Sequence, residues 1–198
     1  MIVLASRSPQ RRALLGALGV EFRVVASRAE EGPDPVANAR AKAEEVVARA
    51  GVPAGGAVVG ADTEVILDGR ALGKPPDRDA AEAMLRSLSG RAHVVRSAVC
   101  VCTAEARYEL ADDARVIFRA LTEPLLAWYL DGGEWRDRAG GYAIQGSGAA
   151  LVLRVEGDPS TVVGLPVATL AATLEGLGLT PWAAAARDTA TTGTGEGR

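Results

Sequence analysis

Three short segments carry the residues able to do chemistry. Ser6 to Arg12 offers two hydroxyls, a helix start and two adjacent arginines. Gly60-Ala61-Asp62-Thr63 brings a carboxylate to the end of an apolar run, and Gly141-Tyr142-Ala143-Ile144-Gln145-Gly146 sets an amide between glycines. Hydroxyls with arginines recognise an anion, carboxylates a metal ion, and an amide the edge of a base. A nucleotide presents all three.

In the first segment, Arg11 and Arg12 fall in the first turn of a helix, where the dipole disfavours a cation by up to ~1 kcal/mol. The placement makes sense if an anion binds there, with Ser6, Ser8 and the free amides sharing its oxygens with a guanidinium fork. An ordinary capped helix with solvated arginines accounts for the same residues. Asp62 follows Val58-Val59 and is expected at a strand end, where α/β proteins place catalytic groups; an Asp in a turn is the plain alternative. Lys74, in Leu72-Gly73-Lys74-Pro75-Pro76, is held extended by the proline after it, although a lone Lys of this kind is usually solvated. Glu30 and Glu31 supply either a metal-binding carboxylate or a wet loop. Oxygen ligands with little His or Cys nearby select Mg²⁺ or Mn²⁺ over zinc. In the third segment the glycines admit a close backbone approach, and Gln145 both donates and accepts; a tight turn before a strand is the alternative. Asp137 and Arg138 precede it, and Ser160-Thr161-Val162-Val163-Gly164-Leu165-Pro166 either closes the site or starts the last helix.

The elements that must position these groups alternate between strands and helices. Residues 2–5 read as a strand, and Ser8 caps a helix with Pro9 at its first position, Leu14, Leu15 and Leu18 on one face and Gly19 at its end. A second strand covers 22–26, and 36–50 is a helix with Ala39, Ala43, Val46 and Val47 as its buried stripe. Residues 58–61 form a strand, and 64–67 turn through Asp68-Gly69 into 70–72 as a hairpin. Further elements are a helix over 79–88, strands near 93–103 and 111–118, a helix over 123–130 capped by Thr122, a strand over 149–155 and a helix over 166–177. The pattern is mixed α/β.

Composition narrows the field. With 198 residues and 48% hydrophobic content, one domain over 1–182 is expected, followed by a disordered tail of Ala, Thr, Gly and charge over 183–198. A net charge of -3 carries no overall basic character, so duplex nucleic acid is not the expected partner. Met1 leads straight into Ile2-Val3-Leu4 without a basic leader, and no apolar run approaches the roughly 20 residues that cross a bilayer; a cytoplasmic protein with no membrane partner is expected. Cys100 and Cys102 would share one face of a strand as buried thiols, and with His93 the only histidine they lack the partners for zinc.

Six motifs stand in order along the chain. They are Leu4-Ala5-Ser6-x-Ser8-Pro9-x-Arg11 with Leu14-Leu15, Ala61-Asp62-Thr63, Leu72-Gly73-Lys74-Pro75, Leu88-Ser89-Gly90-x-x-His93, Gly141-Tyr142-x-Ile144-Gln145-Gly146 and Val163-Gly164-Leu165-Pro166. Through them the chain, from residue 1 to about 180, resembles the Maf family (septum formation protein Maf) of nucleoside triphosphate pyrophosphatases. The resemblance implies a mixed twisted sheet flanked by helices, similar to inosine triphosphate pyrophosphatase, with a nucleoside triphosphate as partner and room for a homodimer.

It also implies roles for particular residues. Asp62 would accept the proton of a water, Ser8, Arg11, Lys42 and Lys74 would hold the triphosphate, and Glu31 with Asp62 would bind Mg²⁺ or Mn²⁺. Arg138 stands where Lys is common in the family, so a point charge becomes a planar fork. At three specificity positions the dTTP/UTP group carries Arg, Thr and Gln, and the 7-methyl-GTP group Trp, Gln and Glu. This chain has Gln10, Thr63 and Gln145, two of three in common with the pyrimidine group, while Gln10 departs from both. The competing class is a nucleotide-binding regulator of septation or division arrest, which could dispense with the base that Asp62 supplies.

Overall fold

Ile2–Leu4 (β1) is buried along its whole length and pairs in parallel with Phe22–Val24 (β2) on one side and with Ala57–Leu67 (β3) on the other. In this computed structural model, which describes residues 1–183, β3 continues the sheet through antiparallel Ala92–Cys102 (β5), Arg107–Phe118 (β6) and Val152–Glu156 (β7). The order is β2-β1-β3-β5-β6-β7, with Arg70–Leu72 (β4) pairing the far end of β3. The tail expected over 183–198 lies, Ala183 apart, outside the described residues.

Alternation along the strands sorts the helices onto two faces. Val58 of β3 and Ala98, Cys100 and Cys102 of β5 pack under Pro35–Ala50 (α2), whose Ala39, Ala43 and Val46 are fully buried there. Val59, Ala61, Val99 and Val101 face the other way, against Leu15 of Pro9–Ala17 (α1) and Leu170 and Leu174 of Val167–Gly176 (α6). Farther along that second face, Val65, Val95, Val116 and Phe118 meet Arg78–Leu88 (α3) and Glu123–Gly132 (α4). Each fully buried Leu or Val contributes about 1.5–3 kcal/mol. Gly60 makes the α2 contact possible: a Cβ there would lie 2.2 Å from the Ala39 carbonyl oxygen and 2.7 Å from the Ala43 nitrogen.

Helix starts follow the expected chemistry, with one correction. Ser8 accepts from the Arg11 amide at the head of α1, and Asp34 and Asp77 cap α2 and α3. Thr122 does not cap α4 through its side chain, because Pro124 removes one of the amides such a cap bonds. Cys100 and Cys102 are free, buried thiols with sulfurs 3.7 Å apart.

Other boundaries moved for physical reasons. The two expected strands around Asp62 are one, since β5 pairs β3 from Val58 to Ile66 without interruption. Asp62 is therefore within a strand and not at its end. The strand expected from 149 begins at Val152, after a 3-10 turn over Ser147–Leu151 that packs Gly148 against the Ala143 carbonyl, too close for any Cβ. Part of the 160–166 segment forms a short helix, Pro159–Val163 (α5), capped by Asp158.

Candidate active site

β3 has an open edge in its middle. β1 pairs with it only as far as Val59 and β4 pairs with it only from Val65, so among the described residues Gly60 to Glu64 have no strand neighbour on that side. A cleft of about 1230 Å³ opens there. Backbone groups at such an edge need partners, and Arg11 provides one. Its Nη1 donates to the Ala61 carbonyl at 2.8 Å, its Nε to the Gly164 carbonyl at 2.8 Å and its Nη2 to Thr63 Oγ1 at 2.9 Å. Burial lowers the pKa of the guanidinium, against the opposing charges of Asp62 and Glu31. Arg11 thus ties α1, β3 and the link after α5 together, with fewer donors left for a ligand than a free fork has. Arg12 is exposed and does not line the cleft.

Asp62 faces α2. Asn38 Nδ2 donates to its Oδ2 at 2.8 Å and Lys42 Nζ to its Oδ1 at 2.6 Å, from positions four apart on one helix face. The same ammonium is 2.6 Å from Glu31 Oε1. That hydrogen bond holds the Glu31 carboxyl below the usual carboxylate range, and the charges of Lys42, Lys74 and Arg11 add to it against partial burial. Two carboxylates from separate segments converge on one cation, and the trio keeps a net negative charge. One or two carboxylates completed by phosphate oxygens and water is the donor set Mg²⁺ takes, so Glu31 and Asp62 fit such an ion. No group of three or more His, Cys, Asp or Glu forms a protein-only metal cage among the described residues.

Thr63 faces the opposite side of β3. Its hydroxyl accepts from Arg11 and meets Ser97 Oγ at 2.8 Å, and Ser97 in turn donates to the Thr161 carbonyl at 2.7 Å. Thr161 Oγ1 donates to Asp112 at 2.7 Å, which closes a polar chain from α1 to β6.

The segment bearing Gln145 is fixed on both sides. Tyr142 OH is 2.8 Å from His93 Nε2, and the Ala143 amide donates to Tyr129 OH at 3.3 Å. Glu134 accepts from the Ser147 amide at 3.2 Å, and from the Ser147 hydroxyl and the Gly148 amide at 2.7 Å each. Between these anchors Gln145 is exposed, and its side chain makes no hydrogen bond among the described residues. His93, 3% exposed, packs edge-on to Phe118 and Tyr142, and burial pushes its imidazole down to about 4. The unfolded chain takes up a proton near pH 6.5 and the folded one only near 4, so stability falls as pH drops through that window. Melting temperatures between pH 7 and 4.5 should show this decline, and His93→Phe should flatten it; an equally steep decline in the variant would exclude His93 as its source.

Ten of the residues singled out from the sequence line this one cleft, Ser8, Gln10, Arg11, Glu31, Lys42, Asp62, Thr63, Lys74, Arg138 and Gln145, whereas Arg12 and Glu30 do not. Ser8 donates to Gln10 Oε1 at 3.1 Å. Lys74 is exposed and has no hydrogen bond or ion pair among the described residues, and the Arg138 Nε is buried without a partner. With Arg7, Arg28 and Arg136, seven basic side chains face four carboxylates, an excess suited to a polyanion. Sequence reasoning missed Asn38, Ser97, Glu134 and Glu64. Asn38 was signalled by its spacing of four from Lys42. Glu64 shares the Asp62 face of β3, and burial raises its carboxyl, with the Arg96 charge opposing and Asp62, Asp34 and Asp113 adding.

A profile of the family described as Maf-like protein matches residues 1–177. The chain belongs to the Maf-like protein family. Among its relatives, a dTTP/UTP pyrophosphatase of Thermus thermophilus is 46% identical over 181 residues, spanning 91% of this chain and 96% of the relative. One of Myxococcus xanthus is 44% identical over 195 residues, 93% and 96% of the two chains. A solved structure, the Staphylococcus aureus Ham1 protein, overlaps 59% of this Maf-like chain and 71% of its own, with a TM-score of 0.45 and 16% identity.

Proposed function

We propose that this chain is a cytoplasmic nucleoside triphosphate pyrophosphatase, a single domain over residues 1–182 that hydrolyses dTTP, UTP or modified pyrimidine triphosphates to the monophosphate and pyrophosphate. The observation that carries the reading is Asp62, a carboxylate held by two donors beside Glu31 at the open edge of a strand and faced by an excess of cations. The names of the relatives, dTTP/UTP pyrophosphatases, point the same way.

In this reading the chain's residues divide the work. Each Asp62 oxygen accepts one hydrogen bond and keeps a further lone pair, so the carboxylate can take a proton from water while Asn38 and Lys42 hold it still. The water oxygen then bonds to the α-phosphorus as the bond to the bridging oxygen breaks, and pyrophosphate leaves. Lys74 and Arg138 receive the phosphate oxygens, joined by the Ser8 hydroxyl once its O–H turns from Gln10, and Lys42 spreads its charge over Asp62 and Glu31. A divalent ion on Glu31 and Asp62 would supply charge neutralisation at the triphosphate.

The test is a panel of unmodified and modified triphosphates, assayed for phosphate with and without added inorganic pyrophosphatase. Phosphate should appear only with the coupling enzyme, two for each monophosphate formed. Orthophosphate released without it, or no turnover of any triphosphate, would overturn the reading. Activity should require Mg²⁺ or Mn²⁺ and vanish in EDTA, with zinc restoring it no better than magnesium, because the available donors are hard oxygens. Full turnover in chelator would remove the ion from the account.

A further inference from the structure

Asn38 is a buried amide, 7% exposed, in the second turn of α2. Its bonding capacity is divided between two places. Nδ2 donates to Asp62 Oδ2 at 2.8 Å and to the Gly32 carbonyl at 2.9 Å, while Oδ1 accepts from the Gly32 amide at 2.6 Å. Gly32 follows Glu31 in a link, residues 25–33, without regular secondary structure. Between residues 30 and 33 the Asn38 contacts are the only backbone hydrogen bonds of that link among the described residues.

We propose that Asn38 is a positioning residue of the site, one amide that fixes the Asp62 carboxylate and the Glu31-bearing link at the same time. The chemistry of the position calls for an amide. Gly32 presents both a donor and an acceptor, which only a side chain with both can meet. A second lysine would cancel the net negative charge that Glu31, Asp62 and Lys42 keep for a divalent ion. An aspartate would set a like charge against Asp62, and a leucine would fill the space but leave the carboxylate oxygen and the Gly32 groups unpaired. With Asn38 in place, both carboxylates are already oriented, so neither cation nor substrate binding has to order the link.

The kinetic part of this role rests on the pyrophosphatase reading, whereas the pinning of Gly32 does not. Asn38→Leu and Asn38→Asp are made in the full chain, with thermal unfolding to confirm that each is folded. Asn38→Asp, close in size to the parent, carries the test if the leucine variant does not fold. Measured for dTTP at saturating Mg²⁺, kcat should fall about 10- to 100-fold in both, the usual effect of removing a group that orients a metal-site ligand. KM should stay within about twofold, since neither change touches the residues that receive the phosphates. Hydrogen exchange at the Gly32 amide should accelerate in Asn38→Leu and stay slower in Asn38→Asp, which keeps an acceptor. Parental kcat in both variants, or a rise in KM as large as the loss of kcat, would overturn the role; so would unchanged Gly32 exchange in Asn38→Leu. If the parent turned over no triphosphate, the pyrophosphatase reading would fail, and Gly32 exchange would still decide whether Asn38 pins the link.

Discussion

Asp62→Asn is expected to lower kcat by about 10²- to 10⁴-fold, the range for a lost general base, while triphosphate binding persists. Asparagine keeps the size of the side chain and loses its basicity. The surroundings make the exchange more demanding than a change of charge alone. Asp62 accepts from two donors, Lys42 on Oδ1 and Asn38 on Oδ2, and an asparagine offers one acceptor oxygen. Its amide nitrogen must then face either the ammonium or the Asn38 Nδ2. Asn38 cannot turn over to accommodate it without breaking both bonds to Gly32. Lys42 keeps Glu31 as a partner, so its charge stays paired. Single-turnover rates and calorimetric binding of a non-hydrolysable triphosphate separate the two effects: a lost rate with retained affinity supports the role of base. Turnover near the parental rate would show that another group takes the proton, and Glu64, on the same face of β3, would be the next to replace.

Much of this site was legible because its parts are local. Ser8 and Pro9 mark a helix start, the apolar run before Gly60 marks a central strand, and the glycines around Tyr142 to Gln145 mark a loop. The partners of these groups were not legible, because they come from distant elements brought together by the sheet. Arg11 reads from sequence as a phosphate ligand at a helix head, yet its donors go to Ala61, Thr63 and Gly164, across 50 to 153 residues of chain. The open edge that draws it there exists because β1 is three residues long and β3 eleven, a mismatch that hydrophobic patterning does not express. The same lack of contrast hid the first residues of β6, where the 107–113 stretch is largely exposed and polar and only pairing with β5 makes it a strand. Thr63 matched the pyrimidine group by type alone; in the fold its hydroxyl serves Arg11 and Ser97, so any effect on the base passes through those two.

In the proposed function base selectivity is assigned chiefly to Gln145, and the expected order of kcat/KM is dTTP and UTP first, CTP behind them and 7-methyl-GTP poorest. Uracil and thymine present one N–H between two carbonyls, and a side-chain amide answers with an acceptor for the N–H and a donor for a carbonyl. Gln145 is free to do so: its flanks are held by His93, Tyr129 and Glu134, while its own amide has no hydrogen bond among the described residues. An amide that no neighbour fixes can also turn over to meet cytosine, which keeps CTP in reach. Gln10, bonded to Ser8 where the pyrimidine group carries a cation, adds no charge to oppose it. Each polar group left unpaired by the wrong base costs about 1–3 kcal/mol, and sites built to bond one edge reject others strongly. Gln145→Glu replaces a donor with an acceptor, so kcat/KM for dTTP and UTP should fall by about tenfold or more, while the melting temperature of so exposed a position stays near that of the parent. Parallel measurement of the four triphosphates in parent and variant decides the matter: a parental preference for 7-methyl-GTP would overturn the pyrimidine assignment, and unchanged selectivity in Gln145→Glu would take base recognition away from Gln145.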